Sequence, residues 1–258
     1  MFERKTFRPK KTREAWQYQI KREREEYYKN KNNIWDAINK SLKNAVIKPC
    51  TRKQAEKIIL EYEWLGDMAV TNIFYGIFFE NIMGGTICIN SSGSSPNSEK
   101  SFGIKKGELS YFARGACAYW TPVGTASKLL SFALKLEKKR GAKAAIAYAD
   151  TDAGEYGTVY QATNWFYIGK SIPGGADLHY SKNNYILDGR TMTEYAKRNN
   201  MSMDKYRIEL EANGWILQRK NPKHRYFYIL ADEPLKTVMF NKIKHLIKPY
   251  PKRSAPEA

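Results

Sequence analysis

The apolar positions of this chain come in short runs whose spacing switches between the extended and the helical period. "NAVIKPC" is a short extended run that Pro49 ends. In "TRKQAEKIILEYEWLG", Ala55, Ile58, Ile59 and Tyr62 recur at helical spacing; Thr51 is placed to cap the first turn and Gly66 to close the last. "IFYGIFFENIMGGTICIN" predicts two strands of a hairpin turning near Glu80–Asn81. The composition of "SSGSSPNSEKSFGIKKG" predicts a loop. "ELSYFARGACAYW" follows as a strand interrupted at Gly115. Helical spacing returns in "TPVGTASKLLSFALKLEKKRG", with Leu129, Leu130, Ala133, Leu134 and Leu136 apolar and Gly141 as the stop. "AKAAIAYAD" predicts a buried strand, "EYGTVYQATN" a short helix and "WFYIGKS" a further strand. Hairpins mixed with helical crossovers predict an α/β (α+β) domain on a mixed sheet, with helices on both faces, rather than a doubly wound parallel sheet.

The flanks have a different texture. Residues 1–44 mix Lys, Arg and Glu at helical spacing with sparse apolar points at Trp16, Ile20, Tyr27 and Trp35. They read as a basic helical arm, either packing on the main body as a solvated helix or also touching nucleic acid. The main domain spans 45–240. Residues 171–222 interrupt it as a basic insertion, in which "RTMTEYAKRNNMSMDKYRIELEANGW" predicts two short helices joined near Asn199–Asn200. "HRYFYIL" supplies the last strand, and residues 241–258 read as a basic, Pro-rich tail that frays.

Composition narrows the class. Hydrophobic residues make up 42% of 258, enough for a proper core, and the formal net charge is +18. Such an excess attracts polyanions, because each neutralised phosphate releases counterions. Cys50, Cys88 and Cys117 are odd in number and form no CxxC pair, which argues against a disulfide framework and a structural zinc site. No apolar run approaches a membrane span, and the N-terminus lacks a signal-peptide core, so a cytoplasmic protein is expected.

The candidate chemistry begins with "ARGACAYWTPVGTASKLL". A strand broken by glycine leads into a turn that opens a helix, where the amides of Gly124, Thr125, Ala126 and Ser127 could meet a phosphate. An ordinary helix cap at Thr121 or Thr125 explains the same turn, and the spacing is neither a Walker nor a Rossmann motif. A strand bent at a bulge can part from its neighbour and leave unpaired backbone in a slot, with "YFARGACA" parting from "AAIAYAD". Coenzyme A, with its amide groups and pyrophosphate, has a shape that suits such a slot.

On these residues the stretch from about Val46 to Gly169, with "HRYFYIL", resembles the GNAT superfamily of acyl-CoA-dependent N-acyltransferases. "VYQATNWFYIG" is similar to that superfamily's "LYxxxGFxxxG" signature, with Tyr160 at the tyrosine position and Asn164–Trp165 where Gly–Phe is usual. "YADTDAGEYGTVYQATNWFYIG" with the later "HRYFYIL" further resembles the Mom family of bacteriophage DNA-modification proteins. The resemblance implies a GNAT-like fold with a splayed central sheet, acetyl-CoA or a related acyl-CoA as cofactor, and DNA as partner. It also implies conversion of the exocyclic amine of adenine to a carbamoylmethyl or related group, as a shield against restriction. Residues placed on the cofactor by it are Ala113, Arg114, Ala116, Val123, Gly124, Thr125, Ala126, Ser127 and Asn164.

Tyr160 reads either as a core tyrosine or as a proton donor to the leaving thiolate. Tyr148, Asp150 and Asp152 lie at the end of the preceding strand and would face the acceptor; Asp150 is equally a capping carboxylate. A duplex base cannot reach a buried thioester, so a base must be flipped or already exposed. Arg190, Lys197, Arg198, Arg219, Lys223 and Arg225 are the candidate phosphate clamps, and Trp64, Trp120, Trp165 and Trp215 candidate stacking residues. Thioester transfer joins nitrogen to a carbonyl carbon, whereas carbamoylmethylation joins it to a methylene, which raises metal activation as an option. Asp177, His179 and His224 could form an iron-binding triad, although their spacing matches no recognised motif. Two other functions stay open: acyl transfer to tRNA, protein or a small amine, and non-enzymatic nucleic-acid binding on the same scaffold.

Overall fold

A computed structural model describes residues 15–91, 101–171, 178–182, 185–219 and 221–252. Seven strands form one mixed sheet in the order β1-β2-β3-β4-β5-β10-β6. They are β1 (Val46–Pro49), β2 (Ile73–Phe79), β3 (Ile82–Asn90), β4 (Leu109–Cys117), β5 (Ala144–Ala149), β6 (Phe166–Lys170) and β10 (His224–Ile229). All neighbours run antiparallel except β4 and β5, which are joined by the crossover helix α3 (Thr125–Arg140) and run parallel.

Alternation along β3 sorts the helices onto opposite faces. Ile87 and Ile89 pack in the cluster that holds Leu129, Leu130, Ala133 and Leu134 of α3. Cys88, between them, packs in the cluster that holds Ala55, Ile58, Ile59 and Tyr62 of α2 (Arg52–Tyr62). The predicted cap of α2 is a full capping box, in which Thr51 and Gln54 bond each other's backbone amides. A further helix, α7 (Leu235–Ile243), which periodicity did not bring out, covers Leu109, Ile146, Ile168 and Phe227 on the α2 side.

The arm packs on the body through α1 (Trp16–Tyr28). Its Ile20 enters the α2 cluster, the ring of Trp16 meets that of Trp64 edge-on at 5.4 Å, and buried Arg24 reaches Glu61 at 3.1 Å. The insertion carries the two expected helices, α5 (Gly189–Arg198) and α6 (Met203–Ala212), and also its own three-stranded sheet in the order β8-β7-β9. These strands are β7 (Leu178–Lys182), β8 (Tyr185–Asp188) and β9 (Ile216–Arg219), each of four or five residues.

The tail departs from the expectation of fraying as far as Lys252. The amide of Lys248 donates to Tyr167 O at 2.9 Å, the Tyr250 hydroxyl donates to Trp165 O at 2.8 Å, and Gln161 Nε2 donates to Pro251 O at 3.3 Å. Those bonds fasten it along β6 and α4 (Thr158–Gln161). No helix among the described residues is long and apolar enough to cross a membrane.

Candidate active site

The site begins where β4 and β5 part. Their parallel pairing runs from Leu109–Ala144 to Phe112–Ala147 and stops. Ala113 is the extra residue of a bulge, because Cys88 pairs with Arg114 while Ile89 pairs with Phe112. Beyond it, β4 stays zipped to β3 on one edge, and its other edge has no strand partner among the described residues. The interruption expected at Gly115 therefore lies two residues earlier; Gly115 itself still pairs with Ile87.

A cavity of about 600 Å³ opens in this parting. Phe112 to Cys117 of β4 form one wall, Tyr148, Ala149 and the turn before α4 form the other, and Val123 to Ala126 close one end. Gly124 adopts φ 89°, a left-handed conformation that turns the chain into α3 without a capping side chain. The amides of Gly124, Ala126 and Ser127 consequently have no hydrogen-bond partner among the described residues. Ala113, Arg114, Ala116, Val123, Gly124, Thr125 and Ala126 all line the cavity. Ser127 and Asn164 do not. Asn164 is an exposed turn residue at φ 61°, which fits a position where relatives of the resembling signature have glycine.

Arg114 is held by three groups. It donates to Asp67 through Nε (to the backbone oxygen, 3.0 Å) and through Nη2 (to Oδ1, 2.8 Å), lies 3.7 Å from Glu63 Oε2, and bonds its neighbour's carbonyl, Ala113 O, at 2.7 Å. Burial raises the Glu63 carboxyl above its ordinary range, with Arg114 and the amides of Leu65 and Gly66 opposing.

Tyr160 projects from α4 into the cavity wall, its ring set between Trp165 at 5.2 Å and Tyr226 at 5.1 Å. Its hydroxyl has no hydrogen-bond partner among the described residues, and burial pushes its pKa far above the usual phenol range. Gly157 makes this placement possible: at φ 69° it opens α4, and a Cβ there would collide with the Tyr226 ring. Trp165, expected as a candidate stacking surface, is fully buried in the core instead. Tyr148 lines the cavity and meets the Tyr111 ring edge-on at 5.7 Å.

The two aspartates are otherwise engaged. Asp150 caps the turn by accepting from the Asp152 amide at 3.0 Å, and its other oxygen is 2.8 Å from Lys223 Nζ. Asp152 bonds Asn221 through both that residue's side chain and its amide. Neither lines the cavity. Glu25, Glu63 and Glu155 do, and of these Glu155, which the sequence reading missed, lies in the turn that leads into α4. Its Oε2 accepts from the Asp150 amide at 3.2 Å, and Oε1 has no partner among the described residues. Burial, with Glu63 and Asp150 adding repulsion, raises its pKa to about 8.

The predicted phosphate clamps divide. Lys197 and Arg198 are exposed at the end of α5. Arg190 and Arg219 lie in α5 and β9, their side chains outside the described set. Lys223 is spent on Asp150, and Arg225 donates to Ile168 O at 3.0 Å across β10 and β6, so both serve the fold. His224 is buried and shares a 3.0 Å hydrogen bond with the Tyr167 hydroxyl; burial, and then Lys170, lowers its pKa. His179 bonds Gln218 in the insertion sheet, and Asp177 falls outside the described residues. Among the described residues no three His, Cys, Asp or Glu side chains converge as a metal site, so the iron triad has no support.

Solved structures of similar shape include an N-acetyltransferase from Staphylococcus aureus (10% identity, TM-score 0.41, 73% of this chain and 99% of that one). A Bacillus subtilis acetyltransferase in complex with CoA shows 10% identity and a TM-score of 0.40 over 73% and 99% of the two chains. An IAA acetyltransferase from Bacillus cereus shows 9% and 0.39 over 72% and 99%. These likenesses are slight. No curated protein matches the sequence. The profile of the Mom protein family, in contrast, matches residues 44–252, a span holding the parted strands, the bare helix amides, Glu155, Tyr160 and the docked tail. By that match the chain belongs to the Mom protein family.

Proposed function

We propose that this protein is an acyl-CoA-dependent transferase whose acceptor is the exocyclic amine of adenine in DNA. The observation that carries the transferase reading is the parting of β4 from β5 over a cavity that holds a phenol and a carboxyl oxygen without hydrogen-bond partners among the described residues. The residues fit coenzyme A: strand-edge backbone from Ala113 to Cys117 suits its amide groups, and the bare amides after Val123 suit its phosphates. When bound, acyl-CoA supplies an activated carbonyl carbon and a thiolate leaving group.

The chain's own residues supply the proton transfers. Glu155, ionised, accepts a proton from the attacking amine, and Tyr160 donates its phenolic proton to the departing sulfur. Nitrogen gains the acyl carbon, the carbon–sulfur bond breaks, and one proton moves in net from amine to thiol. An aryl amine is a weak nucleophile because its lone pair is delocalised into the ring. A base of raised pKa is matched to that task better than an ordinary carboxylate. The product of this step is an N-acyl adenine. A carbamoylmethyl group bonds nitrogen to a methylene carbon and needs chemistry beyond thioester transfer.

Support for DNA as acceptor comes from family membership and from the +18 net charge. Nucleoside mass spectrometry of plasmid DNA from cells expressing the protein tests it. A new adenosine species that vanishes in Tyr160→Phe is the expected result. Unaltered DNA beside altered tRNA nucleosides would move the acceptor to RNA.

A further inference from the structure

The segment matched to the family starts at residue 44, and α1 lies wholly before it. Yet α1 belongs to the site. One stripe of it, Gln17, Tyr18, Lys21, Arg22 and Glu25, follows the i, i+1, i+4, i+5, i+8 spacing of a single helical face and lines the same cavity as Tyr160 and Glu155. The opposite stripe does the packing, through Trp16, Ile20 and Arg24. The cavity stripe is polar throughout.

Its position in the sheet gives it a direction. The bare amides close the cavity at the head of α3, on one face of the sheet. α1 sits with α2 on the other face, against Ala116 and Ala118. A thioester entering from the α3 end leaves the α1 mouth for the acceptor. Lys21 there is half-buried, its charge is felt by the Cys117 thiol in the cavity wall, and it has no ion-pair or hydrogen-bond partner among the described residues. A half-buried cation that no described residue pairs with is suited to an anion brought by the substrate.

We propose that α1 forms the acceptor-side wall of the active site and that Lys21 binds a backbone phosphate of the acceptor strand beside the target base. This rests on the nucleic-acid reading above. The chemistry recognised is a phosphodiester; the phosphates of coenzyme A are the other source of the same charge, and the test separates them. Glu25, one turn further along the same stripe, also lines the cavity.

The experiment measures binding of a single-stranded, adenine-containing DNA oligonucleotide by fluorescence anisotropy across a salt series. Binding of coenzyme A is measured by calorimetry in parallel, for the full chain and for Lys21→Gln and Lys21→Arg. The expected result is that Lys21→Gln weakens oligonucleotide binding about fivefold at low salt and lowers the slope of log K against log salt by about 0.7 to 1. Coenzyme A binding stays unchanged and Lys21→Arg restores the slope. Loss of coenzyme A binding with the oligonucleotide unaffected would assign the lysine to the cofactor and overturn the proposal, as would no change in either. If the unaltered protein binds no oligonucleotide while still binding coenzyme A, the nucleic-acid reading itself falls and the proposal falls with it.

Discussion

Replacing Glu155 by glutamine keeps the shape of the side chain and removes its proton chemistry. The carboxyl sits in the cavity wall with one oxygen on the Asp150 amide, facing Glu63, Asp150 and Lys223. Its pKa stands at about 8 against an ordinary 4.5. That displacement is a difference of up to about 5 kcal/mol between the two protonation states, solvent relaxation making the realised figure smaller. The sign follows from proton binding: between pH 4.5 and 8 the folded chain holds a proton that the unfolded chain has released. This group's contribution to stability is therefore full below about 4.5, falls as pH rises to about 8, and is level above. Catalysis runs the other way, because the base must be ionised. The rate of acyl transfer to adenine-containing DNA, followed by thiol release, should rise about tenfold per pH unit below 8 and level off above it. In Glu155→Gln the rate should drop by about 10²- to 10⁴-fold and lose that limb, while urea unfolding should lose the matching fall in stability. A variant that keeps full rate, or an unaltered enzyme whose rate is already level at pH 6, would refute the assignment.

Other substitutions separate chemistry from architecture. Tyr160→Phe should cost about 100-fold in kcat with little change in coenzyme A affinity or unfolding free energy, since the lost hydroxyl has no hydrogen-bond partner among the described residues. Gly157→Ala should destabilise by about 2 to 4 kcal/mol in urea unfolding, through a left-handed residue and a displaced Tyr226 ring. Asp152→Ala should cost about 1 kcal/mol through its lost bonds to Asn221 and leave kcat intact, in contrast to the role expected for that residue from sequence. Lys223→Ala should destabilise by about 2 kcal/mol by leaving Asp150 unpaired. The salt dependence of DNA binding should remain unchanged in it.

Local signals were legible and long-range ones were not. The α2 cap, the Glu80–Asn81 hairpin and the glycine turn into α3 are each written within a few residues, so spacing alone revealed them. A glycine in β4 predicts the parting of β4 and β5, but a bulge depends on the partner strand's register, which places it at Ala113. Asp150 looked like the base because it ends a strand. Its oxygens are claimed by a turn amide and by Lys223, 73 residues away, and no local pattern announces that pairing. Glu155 went unnoticed as one acid in a glycine-rich turn. The available signal was its place between Gly154 and Gly157, two left-handed residues that turn the chain over the cavity. The insertion strands were missed because they are four or five residues long and leave Ile216 and Leu217 exposed, so no clean alternation marks them. The prolines of the tail predict fraying, whereas its fastening lies in bonds to β6 and α4.

A crystal structure of the protein with coenzyme A bears most directly on this account. Pantetheine lying along Ala113–Cys117, phosphates at Gly124–Ser127 and the thiol within hydrogen-bond reach of the Tyr160 hydroxyl are the predicted result. Coenzyme A bound elsewhere, or a cavity that stays empty at saturating cofactor, would contradict it.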